Sequence, residues 1–304
     1  MCTNVGRAIL KAHLAYHKDI PIAKIYCLSQ NKGINKSNYD NYYDLKIKYN
    51  LPIQYVDSIN EENILHELKA IKPSILIQSG WSQKFSNRLL EIPNHGCIGE
   101  HPAPLPKGKG AACINWAIIN GERNWGDSFF IMNDKYDDGK VISQEIIKIN
   151  PQDNVSNVYE KIAYTSFSII KRNLKKWLNG DFNFIENKEF SETYFKPRKP
   201  EDGEINENID AITQYNFIRA LTKPYPGAFF IFNDLKIIIW EADYLPKNAI
   251  KDQLNKYTEH IYFSQKQIYL KGSCGNFLIP KTVESEKFPI IENNIFFKYF
   301  FKNI

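Results

Sequence analysis

A reactive histidine must be held still, and the run Gly99-Glu100-His101-Pro102-Ala103-Pro104-Leu105-Pro106 is built to hold one. Each of the prolines that follow His101 fixes φ, removes an N–H donor and restricts the residue before it. The stretch cannot be helix; it predicts a stiff, extended loop that aims one imidazole. Further along, Asp137-Asp138-Gly139 sets carboxylates in a turn. An imidazole near its ordinary pKa of ~6.5 can polarise a carbonyl or relay a proton. A carboxylate beside it would orient the ring and stabilise its charged form. The plainer alternative is a solvated loop histidine and a capping aspartate, and on residue types alone it stays open. Lys107-Gly108-Lys109-Gly110 is a permissive, basic turn next to the histidine. Its two lysines suit either an anionic group or plain solvation.

The elements that must position these residues alternate. Residues 1–7 read as the turn that follows a first strand, which is either residues 1–3 or lies ahead of them. Residues 8–17 read as a helix, 22–28 as a buried strand, 29–39 as a polar loop and 42–49 as a short helix. Residues 53–56 form a strand, 61–71 an amphipathic helix and 74–79 a strand. After the histidine come a helix at 111–120, stopped by Asn120-Gly121, then strands at 128–132 and 141–144. Alternating strands and helices predict an α/β fold with a doubly wound, mostly parallel, Rossmann-like sheet. Ligands in such sheets sit beyond the strand C-termini. Both Ser79-Gly80-Trp81-Ser82-Gln83 and the His101 loop fall there. A long helix at 154–179 has Val158, Ile162, Phe167, Ile170 and Leu174 near a 3.6 period. The polar stretch around Lys196-Pro197-Arg198-Lys199-Pro200 divides the chain into residues 1–195, a linker at 196–206, and a smaller, β-rich, OB-like domain at 207–304.

At 304 residues, 43% hydrophobic and 24% charged, the chain suits two globular domains rather than a disordered one. A net charge of +5 is compatible with an anionic ligand but is low for a nucleic-acid binder. Five cysteines without CxxC or CxxH spacing argue against a metal site and for buried free thiols in a reducing cytoplasm. No apolar run reaches the ~18 residues of a membrane helix.

Taken in order, His101-Pro102-Ala103-Pro104-Leu105-Pro106, Gly110, Trp116-Ala117-Ile118-Ile119-Asn120-Gly121-Glu122 and Asp137-Asp138-Gly139 resemble the folate-dependent formyltransferases. A second resemblance, Tyr215-Asn216-Phe217-Ile218-Arg219-Ala220-Leu221 with Pro224-Tyr225-Pro226-Gly227-Ala228-Phe229, is to the C-terminal domain of the members acting on methionyl-tRNA and on nucleotide-linked amino sugars. The resemblance implies 10-formyltetrahydrofolate as co-substrate and His101 and Asp137 as the catalytic pair. It also implies that Met132, Asn133, Asp134, Lys135 and Tyr136 meet the pteridine edge. Lys107, Lys109 and Trp81 are the candidates for substrate contact. One position departs: the family's asparagine, a donor to the formyl oxygen, is here Gly99. Another donor is then needed, with Gln83 the first candidate, followed by Ser82 or a backbone N–H. The expected acceptor is a nucleotide-linked amino sugar. The alternatives are methionyl-tRNA and a non-catalytic, formyltransferase-like binding protein. A tRNA enzyme should carry an Arg-rich insertion after the second strand, where residues 31–49 have lysines but no arginine. Apolar C-terminal strands are compatible with a homodimer.

Overall fold

The computed structural model describes residues 1–34, 36–186, 189–232, 234–250, 253–264 and 267–300, without the side chains of 299 and 300. The polar loop read at 29–39 includes residue 35, which lies outside them. The elements run α1 (Asn4–Tyr16), β1 (Ile25–Leu28), α2 (Gln30–Gly33), α3 (Tyr43–Tyr49), β2 (Ile53–Val56), α4 (Glu62–Ile71), β3 (Leu76–Gln78), α5 (Asn87–Leu90), β4 (Cys97–His101), β5 (Lys109–Gly110), α6 (Cys113–Ile119), β6 (Asn124–Ile131), β7 (Val141–Lys148), α7 (Val155–Leu178) and β8 (Tyr194–Phe195). After them come α8 (Ala211–Leu221), β9 (Ala228–Phe232), β10 (Leu235–Leu245), β11 (Asn255–Lys256), β12 (Ile261–Phe263), β13 (Ile268–Lys271), β14 (Phe277–Ser285), β15 (Phe288–Glu292) and α9 (Asn293–Phe300).

The chain forms two compact units. The first comprises Met1–Cys113, Asn124–Lys148 and Val158–Lys196; the second comprises Ile114–Arg123, Ile149–Asn157 and Pro197–Ile304. In the first unit β1 and β2 pair in parallel, and a separate sheet has the order β3-β4-β6-β7. There β3 and β4 run parallel, as the alternating pattern predicts. The β4/β6 and β6/β7 pairs are antiparallel; between β6 and β7 the link through Asp137-Asp138-Gly139 is too short for a crossover and closes a hairpin. An apolar cavity of about 500 Å³ has the edges of both β1 and β3 in its wall, with Ile9 and Leu10 of α1 and Ile170 and Leu174 of α7. Apolar side chains of α1 and α7 pack with Ile98 and Phe129 of the sheet: Ile9, Ala12, Ile169, Ile170, Leu174 and Trp177 form one buried cluster with them. That burial fixes β4, and β4 carries His101.

The second unit is an antiparallel sheet ordered β11-β12-β13-β14-β10-β9, with β15 added on β14. It fits the smaller, β-rich domain read from the sequence. Arg198 lies over the rings of Trp116 and Phe217, 4.8 and 5.1 Å from their centroids. That stacking accounts for Trp116 as packing.

Candidate active site

His101 is the last residue of β4, and the proline loop after it is fastened strand by strand. The Ser128 hydroxyl of β6 donates to the Ala103 carbonyl at 2.6 Å and accepts from Leu105 N–H at 3.2 Å. Gln144 of β7 donates to the Leu105 carbonyl at 2.9 Å and to Ser128 Oγ at 2.8 Å. The Trp125 indole N–H donates to the Pro102 carbonyl at 2.7 Å. Prolines cannot supply their own donors, so the neighbouring strands satisfy the loop's carbonyls. In sequence Ser128 and Gln144 read only as strand residues, and Trp125 lies outside the strand read at 128–132. Their role depends on the β4-β6-β7 register, which a single sequence does not display.

The imidazole itself is 7% exposed. Nε2 lies 2.8 Å from the Gly108 carbonyl, an acceptor, so that nitrogen carries a proton. Nδ1 lies 3.6 Å from Asp137 Oδ1. Asp137 is held in turn by Gly110 N–H, which donates to Oδ2 at 2.9 Å. Asp137 has φ +50°, left-handed, which an aspartate tolerates better than most residues. Gly139 cannot be replaced, since a Cβ there would come 1.7 Å from the Ile131 carbonyl oxygen. The structure thus brings His101 and Asp137 together, across the turns that sequence could only point to. Cys113 completes the cluster: its thiol hydrogen-bonds the imidazole and donates to the Pro102 carbonyl at 3.3 Å. Its place in the sequence gave no signal beyond that of a buried thiol, and among the five cysteines Cys274 is exposed. Burial works against the imidazolium, but Cys113, the Asp137 carboxylate and the Gly108 carbonyl outweigh it. The His101 pKa is raised well above its ordinary value.

Two further findings place this site among known proteins. A profile of the formyl transferase family matches residues 21–174, and one of the formyl transferase C-terminal domain matches residues 198–298. The chain belongs to the formyl transferase family.

Its formyl transferase relatives differ in reach. The bifunctional polymyxin resistance protein ArnA of Wigglesworthia glossinidia brevipalpis is 37% identical over 196 residues, which are 64% of this chain and 30% of that one. The methionyl-tRNA formyltransferase of Thermodesulfovibrio yellowstonii is 32% identical over 200 residues, 66% of this chain and 64% of that one. The chain therefore spans less than two thirds of the length of either. Among solved structures, an N-formyltransferase from Helicobacter canadensis, in complex with folinic acid and dTDP-3-aminofucose, superposes with a TM-score of 0.67 at 18% identity, over 92% of this chain and 96% of that one. A methionyl-tRNA formyltransferase from Clostridium thermocellum reaches 0.51 at 18% identity, over 81% and 98%. At these identities the superpositions speak for the formyl transferase fold.

The other residues singled out in the sequence take different places. Gln83 spends its amide on a neighbouring loop: Nε2 donates to the Asp57 carbonyl at 2.7 Å, while Oε1 accepts from Ile59 N–H and the Trp81 indole. Among the described residues no hydrogen bond joins it to His101 or Asp137, so the structure makes it a loop staple rather than an oxyanion donor. Ser82 Oγ is bonded by Lys36. Trp81 is a buried core residue that lines the cavity bordered by β1 and β3, not the His101 cluster. Lys109 is buried and ion-paired to Asp138 and, at 2.7 Å, to Glu192. Two carboxylates already neutralise it, which corrects its assignment to an anionic substrate. Lys107 lies 5.8 Å from the Trp125 ring centroid and 5.9 Å from that of Phe190. In the loop after β6, Met132 is partly buried against the core, with its N–H donating to the Cys97 carbonyl at 2.8 Å. Asn133 Oδ1 accepts from Lys135 N–H at 2.9 Å, an Asx turn that leaves Asp134, Lys135 and Tyr136 exposed.

Gly99 has a clear reason for being glycine. A Cβ there would stand 2.6 Å from Phe130 Cζ and 3.1 Å from Met132 Cγ. Gly99 and Phe130 are register partners in the β4/β6 pair, so the aromatic ring lies over the position. An asparagine cannot enter unless Phe130 moves.

Proposed function

We propose that this chain transfers the formyl group of 10-formyltetrahydrofolate to the amine of a nucleotide-linked amino sugar. The observation that carries the transfer reading is the 3.6 Å approach of His101 Nδ1 and Asp137 Oδ1 beside the strand ends. With its charged form favoured, His101 acts first as a donor. Released from the Gly108 carbonyl, its Nε2–H can meet the oxyanion that forms when the amine adds to the formyl carbon. A charged donor there serves where relatives present a side-chain amide, and one such donor contributes about 2.7–4 kcal/mol in comparable sites. Asp137, whose carboxylate is aligned by Gly110, is the group that takes the amine proton. As the tetrahedral adduct collapses, the bond from the formyl carbon to the folate nitrogen breaks and that proton passes to the departing tetrahydrofolate nitrogen. The exposed loop Met132–Tyr136 offers backbone and polar groups for the folate ring edge.

Two observations favour a sugar acceptor over tRNA. The region after β1 holds acidic residues, with Arg7 forked onto both Asp40 and Asp44, the latter at 2.7 Å. It presents no arginine for a nucleic-acid backbone, and phosphate recognition needs many cations. The Helicobacter canadensis neighbour, bound to a dTDP-linked amino sugar, also aligns over nearly the whole of both chains. Incubating the protein with formyltetrahydrofolate, a panel of nucleotide-linked amino sugars and charged tRNA tests the reading. A mass gain of one formyl group on a sugar is expected. Transfer to charged tRNA alone would replace the acceptor, and no transfer to either would leave a binding protein.

A further inference from the structure

The face of β4 opposite His101 carries a second titratable cluster that the transfer reaction, as argued above, does not use. Successive strand residues point to opposite faces, so Glu100 projects away from His101 into the core. Glu100 is 6% exposed and Asp127 of β6 fully buried, and the β4/β6 register, with Glu100 opposite Phe129, sets Asp127 one diagonal step from Glu100 on the same face. Each is clamped by one buried hydroxyl: Ser79, just past β3, donates to Glu100 Oε2 at 2.6 Å, and Ser166 of α7 donates to Asp127 Oδ2. The remaining oxygens, Glu100 Oε1 and Asp127 Oδ1, have no donor. Two neighbouring buried carboxylates cannot both stay ionised in the core, whereas one proton shared between them would give both orphaned oxygens a partner. Burial, followed for Asp127 by the Glu100 charge, raises both carboxyl pKa values. The charged groups that act on the pair are the His101 imidazole, whose attraction stabilises its ionised form, and the Asp137 carboxylate, which repels Glu100. From β3 and α7 come the Ser79 and Ser166 hydroxyls.

We infer that Glu100 and Asp127 share one proton and keep one negative charge behind His101, as positioning residues that help hold the imidazole in its charged form. The inference rests on the reading of His101 as the charged donor in the transfer step. A pair that merely fills the core would be better made of apolar residues, since burying ionisable groups stabilises little. Placed against the back of the strand end that carries His101, the pair acts on the imidazole through the field of its remaining charge.

Glu100→Gln alone would leave Asp127 to carry the charge, so the double variant Glu100→Gln/Asp127→Asn is the one that removes it and keeps the shape. The test follows the His101 ring by NMR across pH, together with the pH profile of kcat/KM for formyl transfer. In the double variant the ring's titration midpoint should move down by roughly half a pH unit or more, as expected for loss of a nearby opposite charge. The alkaline limb of the profile should move with it. Ser79→Ala, which leaves both carboxyls in place and weakens only the hold on the Glu100 charge, should give a smaller shift in the same direction. It also serves if the double variant fails to fold. Lower Tm with an unmoved His101 midpoint in both variants overturns the inference and leaves the pair a structural filler. Because the ring titration is read without turnover, a wild-type protein that shows no transfer removes the activity reading alone.

Discussion

Two loops leave the C-terminal ends of neighbouring parallel strands, and they use their polar residues in opposite ways. After β3, Gln83, Trp81 and Ser82 turn inward on their surroundings: the glutamine amide is shared among Asp57, Ile59 and Trp81. After β4, the backbone polar groups are satisfied from outside by Ser128, Gln144 and Trp125, so the side chains of His101, Asp137 and Cys113 converge. A loop that must hydrogen-bond itself has little left for a substrate. A loop stiffened by proline and stapled by its neighbours can hold charged groups against one another.

The sharpest way to break this contrast is at the pair itself. His101→Asn and Asp137→Asn should each lower kcat/KM for formyl transfer by a hundredfold or more, in the range of about 10²–10⁴ attributed to positioned acid–base groups. Both variants should stay folded by circular dichroism, and retained turnover in either would strip the β4 loop of its role. The pH dependence follows from the same contacts. A raised pKa keeps the imidazolium, and any stability it lends, fully present below the unfolded value of ~6.5 and loses both as pH rises through the higher folded value. Transfer should therefore hold through neutrality and fall on the alkaline side. A loss on the acidic side instead, as pH falls through about 6.5, would show that the ring works uncharged.

Gly99 gives the next effect. Gly99→Asn installs the asparagine that the resemblance to the family leads one to expect there, yet it should lower stability by about 1–3 kcal/mol through overpacking against Phe130. Pairing it with Phe130→Ala should relieve that clash; urea unfolding of the single and double variants measures both. A Gly99→Asn protein as stable as the wild type would mean that the ring does not block the position.

Much of this was legible in the chain. The His-Pro run, the Asp137-Asp138-Gly139 turn and the strand–helix alternation are local patterns, and local geometry carries them into the structure. The fate of individual polar residues was less legible, because it depends on partners distant in sequence. Lys109 looked like a free cation until Glu192, far along the chain, closed on it together with Asp138. The Glu100–Asp127 contact needs the β4/β6 register, and Gly99 needs Phe130 placed over it.

Gln83 provides the smallest effect, and it decides the comparison from the other side. As an oxyanion donor, Gln83→Ala would cost a hundredfold or more in turnover. As a staple, it should change kcat by no more than a few-fold. Its loss instead removes the acceptor for Ile59 N–H and for the Trp81 indole, and the donor to the Asp57 carbonyl. Each net hydrogen bond is worth about 0.5–1.5 kcal/mol, and the loop is partly open to water, so a loss of about 1–2 kcal/mol is expected. Thermal unfolding and single-turnover kinetics on one preparation separate the two outcomes. A large rate loss with unchanged stability would move the donor to the β3 loop and return His101 to the part of an uncharged base.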